Sequence, residues 1–377
     1  MSSSDSPLRR DFDAIVVGAG SAGLGVGVLL QKLELDFVIL ERDSIGASFK
    51  KWPKETRFIS PSFTGNFFKM PDLNAITPDT SPAFRLLTEH PTGEDYAEYL
   101  RDVAIYHALP VEAGIDVQHV QHNEESFSVI TSHGEFRSTY LIWAAGEYQY
   151  PNLNGFKGAE LCTHYSEIDS FENLDGKQSI VIGSYESGFD AAVNLIHEEK
   201  EVILLDDDNY LDLINSDSSY SLSPFTRDRV DEVIDSIDYF TETKVTSVEF
   251  EDGVYKVKTA NDEVFTSNEK PINCTGFSSS LQKMIHMFYF EDGYPLLSDF
   301  DESTRTKNLF LVGPQVKHGT ALFCFIYKYR QRFAIVAEAI ARRELISPFF
   351  IQEVIQDYID NNFYLDDISC CDDECVC

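Results

Sequence analysis

Three glycines and one carboxylate, Gly18, Gly20, Gly23 and Glu41, are the residues whose types and spacing point most directly to chemistry. They lie in the stretch DAIVVGAGSAGLGVGVLLQKLELDFVILE, residues 13–41. An apolar run, residues 14–17, enters Gly18-Ala19-Gly20-Ser21-Ala22-Gly23, an apolar helical stretch follows, and a second buried run, residues 37–40, ends in Glu41. Strand, glycine turn, helix, strand and acid, in that order, make a dinucleotide site. Gly18 permits the turn, Gly20 lets bare backbone approach a pyrophosphate, and Gly23 lets helix and strand pack closely. The helix N-terminus offers free N–H groups to the phosphates, and Glu41, with Arg42 beside it, is placed to accept hydrogen bonds from a ribose diol. The motif does not say which dinucleotide.

A second unit starts at Lys177. Residues 179–182 read as a strand, Gly183-Ser184-Tyr185-Glu186-Ser187-Gly188 as the turn, residues to His197 as a helix, and residues 201–205 as a strand ending in Asp206-Asp207-Asp208. Its contacts would be Gly183, Tyr185, Ser187, Gly188 and Asp206. Tyr185 stands where the second glycine belongs, and its side chain would either crowd the pyrophosphate or swing aside as a gate over it. Each unit is later closed by an apolar strand that ends in a small residue and glycine, at Ala144-Ala145-Gly146 and at Cys274-Thr275-Gly276. A last buried run, residues 308–312, ends at Gly313.

The elements around these sites follow from periodicity. Residues 42–91 form a long irregular segment rich in aromatics, serine and proline, which either walls a flat ring system or packs over the sheet. Thr92 caps a helix with Asp95 three residues on. Strands are expected at 115–120, 126–131 and 136–144, a helix at 227–237, and a β-meander at 245–264. After His318-Gly319-Thr320 a long helix runs to about Arg343, and Ser347-Pro348 opens another to about Phe363. The expected fold class is α/β, with two Rossmann-like three-layer domains.

Composition sets outer bounds. The 377 residues include 63 acids and 30 bases, a formal charge of −33, which opposes binding to nucleic acid or an anionic membrane. No stretch approaches the ~20 apolar residues of a membrane span, and residues 1–10 lack a signal-peptide core; a soluble, cytoplasmic protein is expected. Three of the seven cysteines, Cys162, Cys274 and Cys324, are scattered among apolar or small residues, and the other four, Cys370, Cys371, Cys375 and Cys377, crowd into the acidic tail.

Two glycine-rich units, each closed by a strand ending in glycine, with a final strand ending at Gly313, resemble the two-dinucleotide-binding-domain flavoproteins. More narrowly, residues 11–345 resemble the class B flavin-dependent monooxygenases and the related CzcO-like flavoproteins. The resemblance implies a discontinuous FAD domain (11–150 and 300–345), an NAD(P) domain (151–299) and a C-terminal helix and tail (346–377). Gly18, Gly20 and Gly23, with Ala19, Ser21 and Ala22 between them, would hold the FAD pyrophosphate and Glu41 the adenosine ribose. Trp52 would lie near the flavin ring, Gly146 and Gly276 where the chain leaves each unit, and Gly313 near the ribityl chain. Gly319 and Thr320 would set a helix N-terminus at the flavin's pyrimidine edge, where its dipole would stabilise the reduced anion. The side chains proposed for catalysis are Trp52, Ser60, Asn66 and His318; Ser60 and Asn66 lie in the region where eukaryotic members place an oxygen-activating asparagine. Phe156-Lys157-Gly158 followed by His164-Tyr165 resembles the monooxygenase linker fingerprint, with two extra residues between glycine and histidine.

The resemblance implies hydride transfer from a nicotinamide to flavin N5, then to O2 and a small-molecule substrate, with monooxygenation as the leading reading. Two alternatives stand beside it. One is a reductase or oxidase that does not oxygenate and handles thiols or soft metals at its tail; the other is a non-enzymatic flavin- or metal-binding sensor, with Tyr185 blocking the nicotinamide. NADH is expected over NADPH, because Asp206, Asp207 and Asp208 occupy the place where a base meets the 2′-phosphate, with Arg227 and Arg229 the nearest later bases. The body of the chain, residues 1–369, contains no Cys-x-x-Cys or Cys-x4-Cys pair. The tail cysteines read either as soft-metal ligands or as a shuttle for flavin electrons, although the acids between them would raise the thiol pKa values.

Overall fold

The apolar runs that flank the first glycine turn become β1 (Asp11–Val17) and β2 (Phe37–Glu41), with α1 (Ser21–Lys32) crossing between them. The computed structural model describes residues 10–63, 71–123, 125–215 and 217–368. Ala14, Ile15 and Val16 are fully buried, as expected of a parallel strand covered on both faces. The irregular segment carries the short helices α2 (Ala47–Lys50) and α3 (Pro82–Leu86). Helix α4 (Gly93–Tyr106) opens with a reciprocal capping box, Thr92 Oγ1 accepting from the Asp95 amide and Asp95 Oδ2 from the Thr92 amide, both at 3.1 Å. Strands β3 (Val111–Ala113), β4 (Val117–His122), β5 (Phe127–Thr131) and β6 (Gly134–Trp143) complete the first pass through the sheet. The order is β3-β2-β1-β6-β5-β4. Parallel register sets Val17 beside Leu40 on one side and Trp143 on the other.

The second unit repeats this plan. Strands β7 (Thr163–His164) and β8 (Gln178–Ile182), helix α5 (Glu186–His197), strand β9 (Glu201–Leu205), helix α6 (Pro224–Asp231) and strand β10 (Ile237–Phe240) come first. The expected meander follows as β11 (Val245–Glu251), β12 (Val254–Thr259) and β13 (Val264–Ser267), then β14 (Ile272–Asn273). The parallel sheet runs β10-β9-β8-β14-β7. The helix expected at 227–237 is shorter than its pattern implied. Ile237 instead opens β10 beside Val202, because the open edge of β9 gives the β-favouring run Ile-Asp-Tyr-Phe a partner.

The chain then returns to the first body. Leu281, Met284, Met287 and Phe288 already belong to the first core, so the return begins ahead of residue 300. After the small hairpin of β15 (Phe290–Glu291) and β16 (Tyr294–Pro295), β17 (Leu309–Leu311) pairs in parallel with the end of β6. Strands β18 (Lys317–His318) and β19 (Ala321–Leu322) form a second hairpin. This corrects the reading of Gly319 and Thr320. They form the hairpin's turn, with Gly319 at φ +53°, and the helices start later. These are α7 (Ile326–Tyr329), a 3₁₀ turn, α8 (Phe333–Arg343) and α9 (Pro348–Asp360).

His318, proposed as catalytic, is also placed otherwise. It is buried in the first body, and its Nε2 lies 2.6 Å from Asp301 Oδ1. Arg332 donates to the same carboxylate from Nε and Nη2, each at 3.0 Å, and Asp301 and Arg332 are both fully buried. The cluster fastens the 298–301 turn and the β18–β19 hairpin to α8. Removing one partner would leave a buried charge uncompensated, so Asp301→Ala should lower unfolding stability by about 3–5 kcal/mol, read from urea denaturation.

Candidate functional site

A cavity of ≈ 460 Å³ opens beyond the C-terminal ends of β1, β2 and β6, where the sheet order reverses. Gly18 has φ +106°, and a Cβ there would meet the Ala144 carbonyl oxygen at 2.6 Å. At Gly23 a Cβ would lie 1.9 Å from the Gly18 carbonyl oxygen. At Gly20, between them, it would meet nothing within 4 Å. The outer glycines are therefore required by packing, while the middle one faces open space at the N-terminus of α1. Glu41 lines the cavity with its carboxylate fixed: Oε2 accepts the Ala19 amide and Oε1 the Asp43 amide, each at 2.8 Å, which leaves lone pairs for a ribose. Arg42 also lines it, bonded to Gln149. Ser21 turns inward, its hydroxyl 2.5 Å from the Tyr329 hydroxyl, so it offers a ligand only its backbone. The bare cradle, oriented amides and ribose acid fit the pyrophosphate and ribose of FAD. A bound FAD would supply two-electron redox chemistry.

Aromatic side chains wall the next part of the cavity. Trp52 packs on Phe49 and Phe58 at ring separations of 5.4 and 4.9 Å and faces Tyr148 at 6.5 Å. Ser60 also lines the cavity, but its hydroxyl is committed to Asn74 Oδ1 at 2.5 Å. Asn74 is fully buried and returns its amide to the Ser60 carbonyl and Ser62 Oγ, each at 2.8 Å. Asn66 and the tail cysteines Cys370, Cys371, Cys375 and Cys377 lie outside the described residues. Gly146 adjoins the cavity with open space over its Cα, while a Cβ on Gly313 would touch Ala22 at 3.3 Å, bringing the end of β17 against α1. Gly319 and Thr320 do not line it; Cys324, Phe325 and Ile326, at the start of α7, do. Glu147 is a lining residue that sequence reasoning passed over; burial raises its pKa, only partly countered by Gln315.

The second turn repeats the backbone but not the cradle. Gly183 (φ +94°) abuts the Cys274 carbonyl, and a Cβ on Gly188 would lie 1.9 Å from the Gly183 carbonyl oxygen. Gly276 has open space over its Cα, as Gly146 does. Tyr185 precedes the first turn of α5, and its hydroxyl lies 3.2 and 3.0 Å from the Ser219 and Ser221 carbonyl oxygens. Its ring packs on Tyr210 at 5.4 Å. Asp206, proposed to bind ribose, is instead fully buried; Tyr239 donates to its Oδ2 at 2.6 Å and the Asp208 amide to its Oδ1 at 3.2 Å. Asp207 and Asp208 stay exposed. Arg227 donates to the Leu211 and Leu213 carbonyls, and Arg229 to Asp190 and Asn194.

Glu186, Ser187 and Asp190 carry α5 to the same cavity. Asp190 Oδ2 accepts from Thr56 Oγ1 at 2.8 Å and from the Tyr165 hydroxyl at 2.6 Å, joining the long irregular segment of the first unit to the second. An acid within the apolar helix run Phe189-Asp190-Ala191-Ala192-Val193 was the sequence signal for this junction.

Two Rossmann-type units that share one cavity, one turn with an open cradle, define a two-dinucleotide-domain flavoprotein. The chain belongs to the pyridine nucleotide-disulphide oxidoreductase family, whose profile matches residues 15–313, and is an FAD-dependent oxidoreductase of that class. It is 25% identical over 343 residues to the bacilliredoxin reductase Bdr of Bacillus subtilis, an alignment that spans 88% of this chain and 98% of that protein. Among solved structures it is similar to a bacillithiol disulfide reductase from Staphylococcus aureus (TM-score 0.73, 19% identity, 89% of this chain and 100% of the other). It also shares its fold with a flavin-containing monooxygenase from Stenotrophomonas maltophilia (TM-score 0.60, 17% identity, 93% and 99%). The wider flavoprotein resemblance therefore stands, while the narrower assignment to class B monooxygenases does not follow. No helix among the described residues is long and apolar enough to cross a membrane.

The glycine geometry separates binding from folding. Gly20→Val should leave the far-ultraviolet circular dichroism and thermal midpoint of the flavin-free protein near wild type, while the purified protein loses most of its flavin absorbance. Gly23→Ala, meeting backbone at 1.9 Å, should depress the midpoint itself.

Proposed function

We propose that the protein is an NADH-dependent flavoprotein reductase that delivers electrons to a small-molecule disulfide without oxygenating it. The likeness to bacilliredoxin reductase over 88% of this chain and 98% of that protein is the observation that carries the reductase reading, and the fold shared with a bacillithiol disulfide reductase supports a small disulfide as the acceptor. It reverses the order of the readings drawn from sequence, in which monooxygenation led. The commitment of Ser60 to Asn74 supports it, because that hydroxyl has a fixed structural partner. The net reaction is NADH + H⁺ + RSSR → NAD⁺ + 2 RSH.

This chain's residues would divide the work. The first turn and Glu41 hold the cofactor, and the Phe49–Trp52–Phe58 cluster shields the ring from water. Cys162 and Cys274 are buried, and burial raises both thiol pKa values, to about 12 for Cys162, so neither is suited to exchange. Cys324 is exposed and is the one cysteine among the described residues of the cavity lining, so it has no partner there for a dithiol; the acceptor disulfide enters the shared cavity beside it, or is met by the tail dithiol Cys370-Cys371.

The nicotinamide preference follows from charge. The exposed Asp207 and Asp208 would repel a 2′-phosphate, and the guanidinium groups of Arg227 and Arg229 are already engaged. In anaerobic rapid mixing, NADH should bleach the bound flavin faster than NADPH by on the order of tenfold, the equivalent of about 1.4 kcal/mol, and Asp207→Arg should narrow that gap. Added small disulfide should restore the flavin colour and yield two thiols per NADH. Faster reduction by NADPH, or one oxygenated product per NADH in air, would overturn the reading.

A further inference from the structure

Residues 217–221 belong to the second unit by sequence, yet most of their side-chain partners lie in the first. Lys328 reaches Asp217, with the two side chains 19% and 15% exposed, and its Nζ also donates to Ser219 Oγ at 2.7 Å. The Ser218 hydroxyl bonds to the Tyr327 hydroxyl. Ser219 Oγ lies 3.3 Å from the Leu322 carbonyl oxygen and receives the Cys324 thiol at 3.1 Å. The Tyr220 hydroxyl donates to the Thr320 carbonyl at 3.0 Å. Every one of these partners lies on the β18–β19 hairpin or on the segment that leads into and through α7.

Two of the five, Ser219 and Ser221, also touch the second glycine turn. The Tyr185 hydroxyl, bonded between the Ser219 and Ser221 carbonyls, is held by the strap that the hairpin anchors. Tyr185 occupies the position where Gly20 of the first unit leaves open space. A pyrophosphate that needs bare backbone at that turn must move the Tyr185 side chain, and so break or carry with it the bonds to 217–221. Burial would raise the Asp217 carboxyl, but its bonds to Lys328 and the Ser219 amide outweigh that and hold it below the usual range, so the carboxylate stays ionised at neutral pH.

Resting on the reading that the second unit takes a nicotinamide dinucleotide, we propose that residues 217–221 are an autoinhibitory strap. They hold Tyr185 over the second nucleotide turn while they clasp the two domains, so that nucleotide entry and release of the β18–β19 hairpin are one linked equilibrium. Linkage is reciprocal: whatever weakens the clasp tightens the nucleotide, and bound nucleotide loosens the clasp by the same factor.

The test uses the full-length flavin-loaded protein, with NAD⁺ as the probe because it binds without reducing. Lys328→Gln and Ser218→Ala each weaken the clasp, and flavin content and circular dichroism verify that each variant is folded. Both variants should bind NAD⁺ more tightly, Lys328→Gln by on the order of fivefold. Both should exchange amide hydrogens faster over residues 317–323. Saturating NAD⁺ should speed exchange over the same residues in the wild type. Unchanged affinity in both folded variants, or unchanged exchange at 317–323 when NAD⁺ is bound, overturns the strap. If neither wild type nor variants bind NAD⁺ or NADH at millimolar concentration, the nicotinamide reading fails instead. Tyr185→Phe then decides the strap separately. It should speed exchange over 217–221 and 317–323, and exchange unchanged from wild type rejects the linkage.

Discussion

How closely a helix can approach a strand governs this site. At Gly23 the axis of α1 comes so near β1 that a single methyl group would lie 1.9 Å from the Gly18 carbonyl oxygen. Further along α1, a Cβ on Gly25 would meet the Phe333 ring at 2.1 Å and one on Gly27 would meet Ile39 at 2.8 Å. Three glycines in one helix carry a propensity cost of about 1 kcal/mol each relative to alanine. That cost is tolerated because the helix is buried between the sheet and α8, where packing rather than propensity decides stability. The close approach aims the free amides of the first turn of α1 at the cavity, next to Glu41. The same 1.9 Å constraint recurs between Gly188 and Gly183, so the two units share an architecture even where their ligand surfaces differ.

What differs is how each unit uses its polar groups. In the first, Glu41 is held by two backbone amides and stays at the cavity wall. In the second, the equivalent acid, Asp206, is drawn into the interior by Tyr239, and both nearby arginines are bound to carbonyl and carboxylate oxygens. A chain of net charge −33 nevertheless brings Arg42, Lys51, Arg57 and Lys283 to the lining of the shared cavity. Glu41, Asp43, Asp116, Glu147, Glu186 and Asp190 line it as well, so the surface offered to a pyrophosphate is the free amides at the start of α1 rather than a net positive wall.

Both glycine turns, the capping box at Thr92 and the meander could be read directly from sequence, because each is a local pattern with a local cause. The misreadings have a common origin in partners that local pattern does not show. Ile237 left its expected helix because the edge of β9 was open to it. Gly319 and Thr320 became a hairpin turn because Lys317 and His318 found Leu322 and Ala321 across it. His318 and Asp206 are polar residues next to recognised motifs, which made them appear functional, yet each is buried and consumed by a partner distant in sequence, Asp301 and Tyr239. Conversely, Asp190 and the 217–221 segment lay outside any motif, and only the packing of one domain on the other gives them a role.

That packing is itself informative. Among the described residues, the buried apolar side chains divide into one large cluster for the first unit and two for the second, with no single core spanning both. The described contacts between the units include many polar ones: Lys54, Glu55 and Thr56 meet Asp169, Ser170, Tyr165 and Asp190, and the β18–β19 hairpin and α7 meet 217–221, while His90 stacks on Phe225 and Tyr148 packs on Phe277. Hydrogen bonds exchanged for water contribute only about 0.5–1.5 kcal/mol each, whereas a continuous apolar core would fix the arrangement far more firmly. Interfaces of this polar kind leave relative domain motion as the default. The cavity is therefore the space between two bodies with separate cores. Its shape is set by a few bonds that can be exchanged singly, and a ligand that competes for any one of them changes the shape of the site it enters.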